Sequence, residues 1–171
     1  MASPAGYLAL GGGGGAGSGN RNVGSGGAPG GGVTWIRAAR IEGSGVINAS
    51  GSAAERGDRA GERDGAGGGG GGGTIDLFTN ELAFPCTGFE VRGGAGGNTS
   101  ISASSAFGGG GGGGGGLVRF AGPMALDPNC SPSLVGGRPG FPETSPQPSE
   151  RGMRGHFDVI PWREVPQVTA P

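Results

Sequence analysis

Cys86 and Cys130 are the two cysteines of this 171-residue chain, and a disulfide between them is the most definite covalent chemistry its residue types allow. Most other chemistries fall quickly. A single histidine, His156, cannot complete a zinc site with two distant cysteines, and a catalytic triad would have to rest on that one residue near the C-terminus. All 12 basic residues are arginine, so the lysine of a phosphate-binding P-loop is missing. A GxGxxG match carries no information here, because any glycine run satisfies it. Asp58, Glu62 and Asp64 could hold a loose calcium ion, but they lack the spacing of a calcium loop and read as a solvated charged segment. Arg56-Gly57-Asp58 is the tripeptide that integrins read. The surrounding ERGDRAGERDGAG nearly repeats it by composition alone, so chance is the stronger account of this interaction loop. Arg92-Gly-Gly is one copy of an RNA-binding element in a chain of pI about 5.8, and nucleic acid is not expected as a partner. Asn48, Asn98 and Asn129 fit the glycosylation acceptor pattern, which would mean nothing in a bacterial chain. These residues predict no enzyme, no metal and no cofactor.

The elements that would position these residues must be found in an unusual composition. The chain holds 47 Gly and 13 Pro, roughly a third of its length, a level usually found in low-complexity or disordered segments. Net charge is only −1 and 15% of residues are charged, so self-repulsion does not hold the chain open. Composition leaves order undecided. Periodicity decides it.

Three glycine runs end at Gly32, Gly73 and Gly116, and an apolar run starts after each, at Val33, Thr74 and Leu117. Spacings of 41 and 43 residues are the mark of stacked supersecondary units. Superposed, VTWIR, TIDLF and LVRF align Thr34, Ile75 and Val118 in one column, with Ile36, Leu77 and Phe120 in another. Asp76 and Arg119 fall in the column between, which only Trp35 breaks. That two-residue alternation predicts strands with one buried face, and places Asp76 beside Arg119 as an exposed pair. A second strand follows at GVINASG and at GFEVRGG; the third unit has no clear counterpart, although TSISASS alternates similarly. No window holds helical spacing, so the class is all-β.

The glycine runs at 11–15, 30–32, 67–73 and 108–116 then read as structure. Without side chains, neighbouring backbones can approach and hydrogen-bond, as extended strands or as three-residue-per-turn polyglycine helices. Nine residues at about 3.1 Å each would span roughly 28 Å. Ordering them costs about 1–2 kcal/mol per residue in backbone entropy, which bonding to neighbouring runs must offset.

The cadence GGG-VTWIRAARIEGSGVINASG, GAGGGGGGG-TIDLF and FEVRGGAGGNTSISASSAFGGGGGGGGG-LVRF resembles the glycine-rich, β-helix-type repeat proteins of bacterial surfaces. More distantly it is similar to the glycine-rich tip adhesins of phage tail fibres, whose glycine runs pack as polyglycine II. The resemblance covers about residues 10–135. It implies a glycine-rich repeat solenoid, parallel β-helix-like with polyglycine legs and partly disordered ends.

Repeat register also bears on the cysteines. Cys86 lies 12 residues after Thr74 and Cys130 lies 13 after Leu117, nearly equivalent places in successive units. Strands about 4.8 Å apart suit the Cα separation a disulfide needs. Two unrelated thiols, each near a proline, remain the alternative. A bridge would imply an oxidising setting.

Residues 1–32 read as an N-terminal glycine-rich cap or partial repeat, 33–135 as the β repeat region, and 136–171 as a Pro-rich linker and tail, of which His156 to Pro171 is apolar enough to dock as an extended segment or could equally fray. The start MASPAGYLAL has no basic n-region and makes no convincing secretion signal; no stretch is apolar enough to span a membrane. An extracellular chain of this kind would then be a segment of a longer one, or leave by another route. The expected role is non-enzymatic, structural or adhesive, at a cell surface or in an extracellular matrix. Expected partners are other repeats, copies of itself, or surface glycans. The alternatives are a receptor-binding tip of a phage-like fibre and an ice-binding solenoid, the latter disfavoured by the lack of a threonine ladder.

Overall fold

The computed structural model describes residues 8–19, 24–57, 64–99, 108–122, 129–141 and 149–161. Strand β1 spans Val33–Glu42, β2 Ile47–Asn48, β3 Thr74–Ala83, β4 Phe89–Glu90, β5 Leu117–Gly122 and β6 His156–Pro161, with one 3₁₀ turn at Cys86–Gly88. The described chain is all-β and contains no α-helix, hence no helix long and apolar enough to cross a membrane.

Four strands form one parallel sheet in the order β1-β3-β5-β6. Val33, Thr74, Leu117 and His156 stand in register across it. The two outer strands do not pair with each other, so the sheet is open and not a barrel. A second, smaller parallel sheet pairs β2 with β4, and a bridge from Glu90 to Ser133 extends it. In the third unit Ser133 thus takes the second-strand place that the sequence left open. Residues 100–105 of TSISASS lie outside the described residues.

The parallel register continues past residue 135, beyond the stretch GGRPGFPETSPQPSERG expected to be a solvated linker. Gly136, Gly137 and Gly140 are buried, and His156–Pro161 is a full sheet strand. The reason is physical: HFDVI repeats the strand alternation 39 residues after Leu117, and Leu117, Val118 and Phe120 offer it an edge. Of the ends expected to be partly disordered, residues 1–7 and 162–171 lie outside the described residues, while 8–19 and 149–161 are hydrogen-bonded to neighbouring segments.

Alternation puts Ile75 and Leu77 of β3 and Val118 and Phe120 of β5 inside, each fully buried. They meet Phe89, Val91 and Leu134, which come from the side of the smaller sheet. Burying each such side chain contributes roughly 1.5–3 kcal/mol. Phe84, Phe89, Phe120 and Phe157 touch in series, with ring centroids 5.0, 5.0 and 5.3 Å apart. Ile36, in the same column as Leu77, is only partly buried because β1 is an outer strand. Trp35 is 65% exposed on the same strand.

The glycine runs are hydrogen-bonded to one another, and the bonds step by three residues. Ala66, Gly69 and Gly72 donate their N–H groups to Gly108, Gly111 and Gly114. Gly51, Ala54 and Gly57 donate to Arg92, Ala95 and Asn98; Gly93, Gly96 and Thr99 donate to Val135, Arg138 and Phe141. Gly110, Gly113 and Gly116 cross to Gly97, Gly94 and Val91, each at 2.9 Å. Each of these bonds goes to another segment and none closes within its own run. The runs before the strands (24–32, 64–73, 108–116, 149–155) thus form one column of legs. Those after them (49–57, 91–99, 134–141) form a second. Leg 8–19 lies antiparallel against 24–32 and 64–73.

Candidate functional site

At most interior glycines of the legs a Cβ would collide with neighbouring backbone, so side chains able to meet a ligand are largely confined to outward positions. Arg92 is one of these. It directly follows the buried Val91 at the start of leg 91–99, which turns its side chain outward. Its Nε donates to Ser133 Oγ at 2.6 Å and its NH2 group to Glu90 Oε1 at 2.9 Å, fixing the guanidinium across two units. Arg151 and Arg154 sit on leg 149–155, both exposed. Three residues apart on a three-residue leg, they share a side.

These three arginines, with the hydroxyl residues Thr87, Ser131 and Ser133, line an open groove of about 610 Å³. Among the described residues neither Arg151 nor Arg154 has an ion-pair partner, and Glu90 is the one carboxylate bonded to Arg92. The groove therefore carries net positive charge. Guanidinium forks and hydroxyls fit anionic oxygen groups such as carboxylate and sulfate. The sequence alone does not mark this site, because RGMRG follows directly on the Pro-rich stretch and its three-residue spacing has meaning only once the leg is known.

The other sequence candidates are dispersed. Cys86 and Cys130 are joined in a disulfide with Cα atoms 5.1 Å apart, Cys86 in the 3₁₀ turn after β3. Arg56 is exposed, but Gly57 is buried and its N–H donates to Asn98 at 2.9 Å, so it belongs to a leg rather than a free loop tip. Asp58 and Glu62 lie outside the described residues, and Asp64 is 3% exposed. Among the described residues no cluster of His, Cys, Asp and Glu could hold a metal ion. His156 is exposed at the head of β6.

Asp76 and Arg119 do pair, but not as the exposed pair expected. Their side chains are 13% and 10% exposed, and Arg119 donates to both carboxylate oxygens. The hydrogen bond to Asp76 raises the Arg119 pKa, against desolvation; the charges of Asp76 and Asp158 add to the rise. Asp158 is the β6 residue in register with it. This is a structural lock and presents no free charge to a ligand.

No family model matches the chain, and no curated protein or solved structure matches it either.

Proposed function

We propose that the chain is a non-enzymatic, glycine-rich solenoid with polyglycine II legs, which serves as a structural or adhesive element at a cell surface or in an extracellular matrix. The observation that carries this is the three-residue hydrogen-bond step shared by the legs. Such a scaffold is held by backbone, a small core and a disulfide, and leaves its outward side chains free for contact. The bond between Cys86 and Cys130 supports an oxidising compartment. It agrees with the resemblance to glycine-rich surface repeat proteins of bacteria. The arginine groove is open on one side, which suits a polymer better than an enclosed small molecule. Acidic surface glycans, rich in carboxylate or sulfate, are the partners its charge favours.

Calorimetric titration with a polyuronate, a sulfated glycan and neutral dextran tests the reading. The acidic polymers should bind, more weakly as salt rises, because exposed charges are screened over about 10 Å at 0.1 M. Dextran should not bind, and the double substitution Arg151→Ala, Arg154→Ala should remove most of the affinity. Shortening of any polymer during the titration would make the protein an enzyme and overturn the proposal; equal binding of dextran would remove the role of charge.

A further inference from the structure

Leg 8–19 is held on its neighbours by two sets of bonds. It donates from Gly11 and Gly14 to Gly31 and Ala28 of leg 24–32. It accepts at Gly12 and Gly15 from Gly71 and Gly68 of leg 64–73. One unit along, the equivalent groups are present and unused. Strand register matches Gly68 and Gly71 to Gly111 and Gly114, and Ala28 and Gly31 to Gly69 and Gly72. Among the described residues the N–H groups of Gly111 and Gly114 donate to nothing, and the carbonyls of Gly69 and Gly72 accept nothing. An open groove of about 420 Å³ runs here, lined by Gly14, Gly15, Gly68, Gly69 and Gly111 among others. A Cβ built at Gly111 or Gly114 meets nothing nearer than 3.8 or 3.9 Å. One further unit along, Glu150 and the 83% exposed Met153 take these positions, so the strip without side chains is one unit wide.

We propose that this strip is a binding seat for a single glycine-rich extended segment from another chain, laid beside leg 108–116 as leg 8–19 is laid beside leg 64–73. The seat reads backbone, and selects by excluding side chains. In leg 8–19 a Cβ at Gly11 or Gly14 would lie 2.1 or 2.0 Å from a carbonyl oxygen of leg 64–73, whereas Gly12 and Gly15 have nothing within 4 Å. The partner must therefore carry glycine at every third residue, and tolerates side chains at outward positions. Leg 8–19 of this chain carries that pattern, so the occupant is the corresponding segment of a further copy of the chain. The proposal rests on the glycine-leg reading but not on the arginine groove.

The test uses the full, disulfide-bonded chain labelled with ¹⁵N and a peptide of the sequence of residues 8–19. In the free chain the Gly111 and Gly114 amides should exchange freely while those of Gly110 and Gly113 are protected. Added peptide should shift and protect Gly111 and Gly114 saturably. Peptides with Gly11→Ala or Gly14→Ala should bind about tenfold or more weakly, and one with Gly12→Ala should bind unchanged. The chain variant Gly111→Val should lose binding while keeping the dispersed spectrum of the folded protein. Protection of Gly111 and Gly114 before peptide is added would mean the seat is already filled, and would overturn the proposal. So would peptide binding that is indifferent to the position of the alanine. Exchange at Gly110 and Gly113 as fast as at Gly111 would instead sink the leg reading itself.

Discussion

Arg119 grips Asp76 on the adjacent strand with both arms of its guanidinium, Nε 3.1 Å from Oδ1 and NH2 2.5 Å from Oδ2. The two residues are in register across β3 and β5, 43 positions apart, so the contact fixes one unit against the next. Both side chains are nearly out of water, where removing one partner strands the other's charge.

Asp76→Ala should therefore cost about 3–5 kcal/mol of unfolding free energy in a urea titration. Glu81→Ala, which breaks an exposed pair with Arg40, should cost about 1 kcal/mol or less. Arg119→Lys should recover only part of the loss, because an ammonium cannot span both oxygens. The raised pKa of Arg119 sets the sign for pH. Stability from a raised cation is complete below its ordinary value and falls only as pH climbs through the folded one, so Arg119 adds no pH dependence between neutrality and mild alkali.

Reducing the bond between Cys86 and Cys130 frees a loop of 44 residues. On the chain-entropy account this lowers stability by roughly 3–4 kcal/mol, a large part of what a thin core supplies. Thiol titration of the unfolded, unreduced protein should find no free thiol. The unfolding midpoint should drop when reductant is added, and a midpoint blind to reductant would mean the bridge constrains nothing.

Leu77 is fully buried between β1 and β5 and packs toward Phe89 and Phe120. Leu77→Ala should cost about 2–5 kcal/mol. Ile36→Val, at the same column on the outer strand, should cost less than about 1 kcal/mol because Ile36 is already partly in water.

The sheet was legible because its signal is local: each unit's alternation stands directly after a glycine run, and the register of Ile75 with Val118 and Leu77 with Phe120 is the one the superposed sequences give. The fourth strand was half legible: residues 156–171 are apolar enough to dock as an extended segment, but their approach, through PETSPQPSERG, looks like linker by composition, which does not reveal that 149–155 can be a leg. Pairing of Asp76 with Arg119 was legible from the register; its burial was not, since alternation assigns a face and says nothing of what covers it. The arginine groove was illegible for a different reason. Arg92 meets Arg151 and Arg154 only through legs whose three-residue period depends on which carbonyl each N–H finds, information that a run of identical glycines does not contain.

That period gives the sharpest prediction, because substitutions one residue apart should differ in outcome. In leg 108–116 a Cβ at Gly113 would stand 2.1 Å from Gly70 O, and one at Gly110 would stand 1.8 Å from Gly67 O. Both contacts are with backbone, which cannot swing aside. At Gly111 and Gly114 the nearest atoms are 3.8 and 3.9 Å away, ordinary contact. Gly113→Ala and Gly110→Ala should each destabilise by typically 1–3 kcal/mol or more from overpacking. Gly114→Ala and Gly111→Ala should be neutral or slightly stabilising, since replacing glycine at an unstrained position reduces the entropy of the unfolded chain by about 0.4–1 kcal/mol. A free linker would treat all four alike, and a β-strand would alternate in twos. An alanine scan of residues 110–116 read by urea midpoint separates these cases: losses that follow no three-residue pattern would dismiss the packed legs.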